Sequence, residues 1–167
     1  MNKNGFTLLE LLAVIAVIGV LAAIAMTNFG SWTSKADIEA QIRELYGDLT
    51  NAQIRAMSTN RNHFVTFAST QYTITDDTGG AGVIGPPPVA PANTVIVQKT
   101  VKNQITWAGG TGSVFYFDTR GIANNLDSNN LGTVSLVNNS GAVFDCIIIT
   151  PTKINMGLMN GGNCVQR

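Results

Sequence analysis

Between Leu11 and Ser34 the chain runs for 24 residues without a charge. At about 1.5 Å per helical residue such a run spans roughly 36 Å, enough to cross a hydrocarbon core. Leucine, isoleucine, valine and alanine fill it without alternation, as a helix that is apolar all round requires. One acid, Glu10, stands at the head of the run, four residues after Phe6, and the preceding MNKNG carries only Lys3. A carboxylate near the end of an apolar helix is expensive in lipid and marks a functional position.

Two ordinary explanations leave Glu10 unused. A secretory signal has a stronger basic start, a shorter apolar core and a small-x-small cleavage site after it. Ala22-Ala23-Ile24-Ala25 would supply such a site, yet the acid would then open the apolar core to no purpose. A plain single-pass anchor needs neither Glu10 nor the Gly5-Phe6-Thr7 string before it.

The string Gly5-Phe6-Thr7-Leu8-Leu9-Glu10, followed by the long apolar helix, resembles the type IV pilin family, which includes pilins, type II secretion pseudopilins and competence pilins. The resemblance implies cleavage by a prepilin peptidase between Gly5 and Phe6 and N-methylation of the new terminus at Phe6. It divides the chain into a leader (residues 1–5), a transmembrane and filament-core helix (6–27) and a pilin-like domain (28–167). It also implies a single-pass protein of the bacterial inner membrane with its domain in the periplasm, later incorporated into a pilus or pseudopilus. The partners are other pilin subunits, met through helix packing. Glu10 becomes the assembly acid. A charged Phe6 amine and a carboxylate are each costly in a low dielectric, whereas a pair between neighbouring subunits is largely compensated and selects an axial register. Many family members carry a proline where this chain has Thr27, so a helix interruption there loses its usual cause.

Beyond the apolar run the helical period continues. Ile38, Ile42, Leu45, Leu49, Ala52 and Ala56 form one stripe, with Asp37, Gln41, Glu44, Asp48, Asn51 and Arg55 assigned to the opposite face. One helix is therefore expected from about Thr7 to Thr59, ended by Asn60-Arg61-Asn62. The period then changes to two. Strands are expected at His63–Phe67, Gln71–Thr75, Thr94–Val101, Ser113–Phe117, Thr133–Val137 and Ala142–Thr150, separated by glycine- and asparagine-rich turns and by a loop at Gly85-Pro86-Pro87-Pro88. One helix followed by antiparallel strands implies an α+β fold with the helix laid on the sheet. Within the family, Leu49 to Ala56, Asn60-Arg61, Val65-Thr66-Phe67 and Val114 to Phe117 with Gly121 are similar to the GspH/FimT group of minor pilins.

If the domain is periplasmic, an even cysteine count implies a Cys146–Cys164 bridge; the alternative is two buried thiols. The tail from Met156 to Asn163 reads as floppy without it. No catalytic set emerges. His63 is the only histidine, and nothing beside it suggests a nucleophile and an orienting acid. Gly109-Gly110-Thr111-Gly112 precedes a strand and has no lysine after it, so it lacks the context of a phosphate loop. Asp127-Ser128-Asn129-Asn130 offers too few oxygen ligands for a calcium site, and Asn138-Asn139-Ser140 is a glycosylation triplet common by chance. The reading is thus non-enzymatic, with no metal and no cofactor. The alternative function is a DNA-binding pilin for natural transformation. From residue 28 onward nine basic residues balance nine acids, which supplies no row of phosphate contacts, although folding could gather Lys99, Lys102, Arg120 and Lys153 on one face.

Overall fold

The computed structural model describes residues 7–78, 93–137 and 141–167. Its first element, α1 (Leu8–Thr59), is a single helix of 52 residues, roughly 78 Å long at about 1.5 Å per residue. Thr7 caps its start in an extended conformation, and Asn60 ends it in the left-handed region at φ 53°, ψ 43°, donating its N–H to the Ala56 carbonyl. Asparagine is one of the few non-glycine residues that tolerates this conformation. Both ends agree with the sequence expectation to within one residue.

The apolar stripe is the part of α1 that meets the rest of the molecule. Ile38, Ile42, Leu45, Leu49, Ala52 and Ala56 are all buried and belong to one core cluster. The polar row from Asp37 to Arg55 departs from expectation. At about 100° per residue it lies a quarter turn from the stripe rather than opposite it. That flank borders the strands, and most of its side chains find partners there.

Among the described residues ten strands form two five-stranded antiparallel sheets, a division not expected from the sequence. The first holds β1 (His63–Ala68), β2 (Gln71–Asp77), β3 (Asn93–Thr100), β5 (Val114–Phe117) and β6 (Ala123–Asn124), in the order β3-β2-β1-β5-β6. The second holds β4 (Ile105–Ala108), β7 (Gly132–Leu136), β8 (Cys146–Ile149), β9 (Ile154–Asn160) and β10 (Asn163–Gln166), in the order β10-β9-β8-β7-β4. The inner faces of both sheets, through residues such as Val65, Phe115, Val134, Ile147 and Ile149, close on the α1 stripe.

An aromatic stack joins the sheets. Trp107 of β4 lies 5.2 Å from Phe67 and 5.3 Å from Phe115, both in the first sheet, and Phe115 meets Phe117 edge-on at 5.2 Å. Such pairs add about 0.5–1.5 kcal/mol beyond the area they bury. β4 was not expected, because only four residues and one tryptophan announce it. The segment before Cys146 is likewise not strand: β8 begins at Cys146 rather than Ala142. The tail that the bridge was expected to tie down is the β9–β10 hairpin, turning through Gly161 and Gly162 at φ 57° and 86°. Asn160-Gly161-Gly162-Asn163 supplies the turn chemistry.

Candidate functional site

The apolar half of α1 stands clear of the domain. Every described side chain from Thr7 to Ala23 is exposed. Leu8 and Leu9 reach 81% and 80% exposure, and Leu11, Ile15, Val17 and Leu21 lie near 60%. They point in all directions around the rod, so no rotation against the domain could cover them. A contiguous apolar surface of this kind marks an interaction with lipid or protein. Among the described residues no helix is long and apolar enough to cross a membrane; side chains are described continuously only as far as Ala23.

Glu10 occupies the first turn of this rod. Its backbone N–H donates to Thr7 Oγ1 at 3.3 Å and to the Thr7 carbonyl at 3.1 Å. Thr7-Leu8-Leu9-Glu10 has the spacing of a capping box, and an acid in the first turn also complements the helix dipole. That helix-start role was legible in the sequence and was overlooked beside the assembly role. The Glu10 side chain is exposed. The expected processing site, Gly5 and Phe6, lies outside the described residues, as do the proline loop and the Asn138 triplet.

The lower half of α1 is clamped to the domain through its polar flank. Asp48 Oδ2 accepts from the Tyr72 hydroxyl at 2.6 Å and from Lys99 Nζ at 2.7 Å, while Glu44 Oε1 accepts from the same ammonium at 2.7 Å. Lower down, Asp37 Oδ2 takes Lys102 Nζ at 2.7 Å and Gln41 Oε1 takes the Lys102 N–H at 3.2 Å. Glu39 Oε1 accepts from the Val143 N–H at 2.9 Å. Hydrogen bonds to Asp48 and Glu44 hold the Lys99 ammonium above its ordinary titration range. Burial, followed by the bond to Asp48, pushes the Tyr72 phenol far up.

These contacts also decide the fate of the basic residues. Lys99 and Lys102 are turned onto the acidic flank of α1. Arg120 pairs with Asp118 at 2.7 Å. Burial works to raise the Asp118 carboxyl, but hydrogen bonds from Arg120 and from the Ile122 and Arg120 backbone outweigh it and hold the group below its ordinary range. Three of the four cations that folding could have gathered are thus paired with acids of the same chain. His63 is fully buried, with Nδ1 3.2 Å from the Arg61 carbonyl oxygen, where the ring nitrogen donates. Asp127 spends Oδ1 on its own turn, accepting from the Asn129 and Leu131 N–H groups at 2.8 and 2.7 Å. Among the described residues no group of three or more His, Cys, Asp or Glu side chains could hold a metal ion.

Cys146 of β8 and Cys164 of β10 are bonded, with their Cα atoms 6.1 Å apart. The strand between them is β9, and strands two places apart in a flat sheet lie about 9.6 Å from each other. The hairpin is therefore curled over the outer face of its own sheet. Cys146 pairs in register with Gly157 of β9. A Cβ there would meet Cys164 Sγ at 2.8 Å and the Val165 carbonyl oxygen at 2.5 Å, so only glycine lets the bridge cross. The curl forms one wall of a hollow of about 480 Å³, floored by Thr106, Thr133 and Ser135 and bordered by Asp127, Met159 and Cys164.

The prokaryotic N-terminal methylation motif matches residues 1–26. No curated protein sequence matches the chain. Among solved structures, the minor pseudopilin EpsH from the type II secretion system of Vibrio cholerae superposes with a TM-score of 0.51 at 12% identity, covering 74% of this chain and 94% of that one. A second structure of the EpsH minor pseudopilin gives 0.48 at 10% identity, over 72% and 94%. The chain thus carries a methylation motif of the pilin type at its start and a pilin-like α+β fold after it.

Proposed function

We propose that this chain is a minor pilin or pseudopilin, a structural and assembly subunit of a type IV pilus or a type II secretion pseudopilus. The observation that carries this reading is the exposed apolar rod from Leu8 to Ala23, continuous with a helix whose lower half is built into a folded domain. A surface so apolar needs lipid before assembly and neighbouring helices after it. The methylation motif lies on that rod, and the likeness to EpsH fits a domain of this kind. In this reading residues 1–5 are removed by the prepilin peptidase, Phe6 becomes the methylated terminus and residues 6–27 anchor the subunit in the inner membrane. The domain then lies in the periplasm. Glu10 meets the Phe6 amine of a neighbouring subunit.

A nucleic-acid role is not favoured, because Lys99, Lys102 and Arg120 are held by acids of the same chain. Intact-mass spectrometry of membrane-derived protein tests the processing: a methylated start at Phe6 is expected, and a start at Met1 or near Ala25 would reject it. For assembly, Glu10→Ala should insert in the membrane as before and be depleted roughly tenfold or more from sheared filaments, the cost of leaving one buried charge unpaired. Wild-type levels in filaments would reject the pairing.

A further inference from the structure

The two tryptophans of the chain have opposite surroundings. Trp107 is stacked between Phe67 and Phe115 in the core, whereas Trp32 is 73% exposed on α1. Trp32 lies nine residues past Ala23, at the point where the apolar sequence gives way to Thr33, Ser34 and the first following charge, Lys35. The domain has not yet begun there: the first α1 residue in the core is Ile38. An exposed indole in the middle of a helix, between an apolar rod and a domain, has no packing role in the isolated chain.

Its position relative to Glu10 is informative. The two residues are 22 positions apart, an axial separation of roughly 33 Å at about 1.5 Å per residue. With a common tilt of about 20° this projects to about 31 Å, close to the hydrocarbon thickness of about 30 Å. Residues 11–31 between them hold no charge. A depth that keeps the Glu10 carboxylate at one boundary of the bilayer therefore puts the Trp32 indole at the other. Indole suits that layer, having an apolar body and an N–H that needs a polar partner. Ile38 then begins the domain roughly 9 Å further out, just clear of a headgroup layer about 5–8 Å deep. A deeper setting of α1 draws the Glu10 carboxylate into hydrocarbon and carries Trp32 outward, away from the boundary. It costs a buried carboxylate and gains nothing from the indole.

We infer that Trp32 is a lipid-interface anchor: its indole sits in the headgroup layer on the domain side and sets the depth of α1, holding Glu10 at the opposite boundary until a neighbouring subunit takes it. The inference rests on the membrane-anchored reading above. It gives the upper part of α1 two fixed points, one acid and one indole, with uncharged helix between them.

The test uses the full-length chain reconstituted in phosphatidylcholine vesicles, compared with Trp32→Phe, a change at an exposed site that leaves the core untouched. The emission difference between the two proteins isolates Trp32 from Trp107. Vesicles are made with lipids brominated either near the headgroup or near the chain ends. The expected result is that both proteins float with the vesicles and that the Trp32 emission is quenched roughly twofold more by the shallow bromine than by the deep one, as an interfacial indole requires. A chain that floats but shows no quenching by either lipid, or equal or stronger quenching by the deep one, overturns the anchor while leaving membrane insertion intact. A chain that does not float overturns the membrane reading, and this inference with it.

Discussion

α1 is one unbroken helix made of two different surfaces, and the contrast between them explains the molecule. From Leu8 to Ala23 every described side chain is exposed and nearly all are apolar; from Ile38 to Ala56 a narrow apolar stripe is buried to the last few per cent. The upper half has no preferred face, so it cannot pack on a single domain and can pack equally on lipid or on several neighbouring helices. The lower half has a face and a polar flank, so it has one orientation and one set of partners. Residue pattern rather than helix propensity separates the two, since the backbone is continuous throughout.

The comparison breaks most readily under truncation of apolar side chains. In detergent, Ile42→Ala should destabilise the domain by about 2–5 kcal/mol, the range for a buried aliphatic residue leaving a cavity. Leu12→Ala, on the exposed rod, should leave the denaturant midpoint of the domain unchanged. Equal losses at both sites would mean that the upper half also packs on the domain.

Next in size is the bridge. Replacing both Cys146 and Cys164 by serine opens a loop spanning a sequence separation of 18 and should lower stability by about 3 kcal/mol on the chain-entropy estimate. Hydrogen exchange should show the effect concentrated in β9 and β10, with little change in β1 and β5. A uniform loss over both sheets would show that the curled hairpin holds the whole domain together and not one edge of it.

The polar flank comes third. Asp48→Ala strands the buried Tyr72 hydroxyl and frees Lys99, and should cost about 1–3 kcal/mol by chemical denaturation. Asp127→Ala, which disturbs only its own turn, should cost less. If the order is reversed, the flank is not what fastens α1 to the sheets.

The smallest effect is the pH dependence. Tyr72 and Lys99 are raised above ordinary values of 10.0 and 10.5. The folded state therefore keeps these protons longer than the unfolded chain, so their contribution is complete below about pH 10 and is lost as pH rises further. Asp118 is lowered from 3.8; its contribution is complete above that value and is lost as pH falls through the folded value. Thermal melts should thus be flat near neutrality and fall at both extremes. Asp48→Asn should shrink the alkaline fall. An unchanged alkaline limb would show that neither group is coupled to Asp48.

Much of this was legible before any fold was seen. The uncharged run, the stripe from Ile38 to Ala56 and the stop at Asn60 follow from local periodicity and backbone preference, which depend only on neighbouring residues. Cys146 and Cys164 could be paired because there are only two cysteines, but not placed. The hairpin in the tail went unseen because a strand of mixed pattern such as Ile154–Asn160 shows no clean alternation. β4 went unseen for a related reason: its identity lies in the stack of Trp107 with Phe67 and Phe115, about 40 residues away and just 8 residues away respectively, and it gains that stack only across the gap between two sheets.

The sequence alone therefore determined the long helix, its two surfaces, the position of Glu10 and the α+β class, because each is written in spacing along one segment. Only the tertiary structure decided that the strands divide into two sheets. It also paired Lys99, Lys102 and Arg120 with acids of the same chain, and crossed β9 at Gly157 with the disulfide. Those outcomes depend on which distant segments meet, and a contact between residues far apart in the chain has no signature in the residues on either side of it.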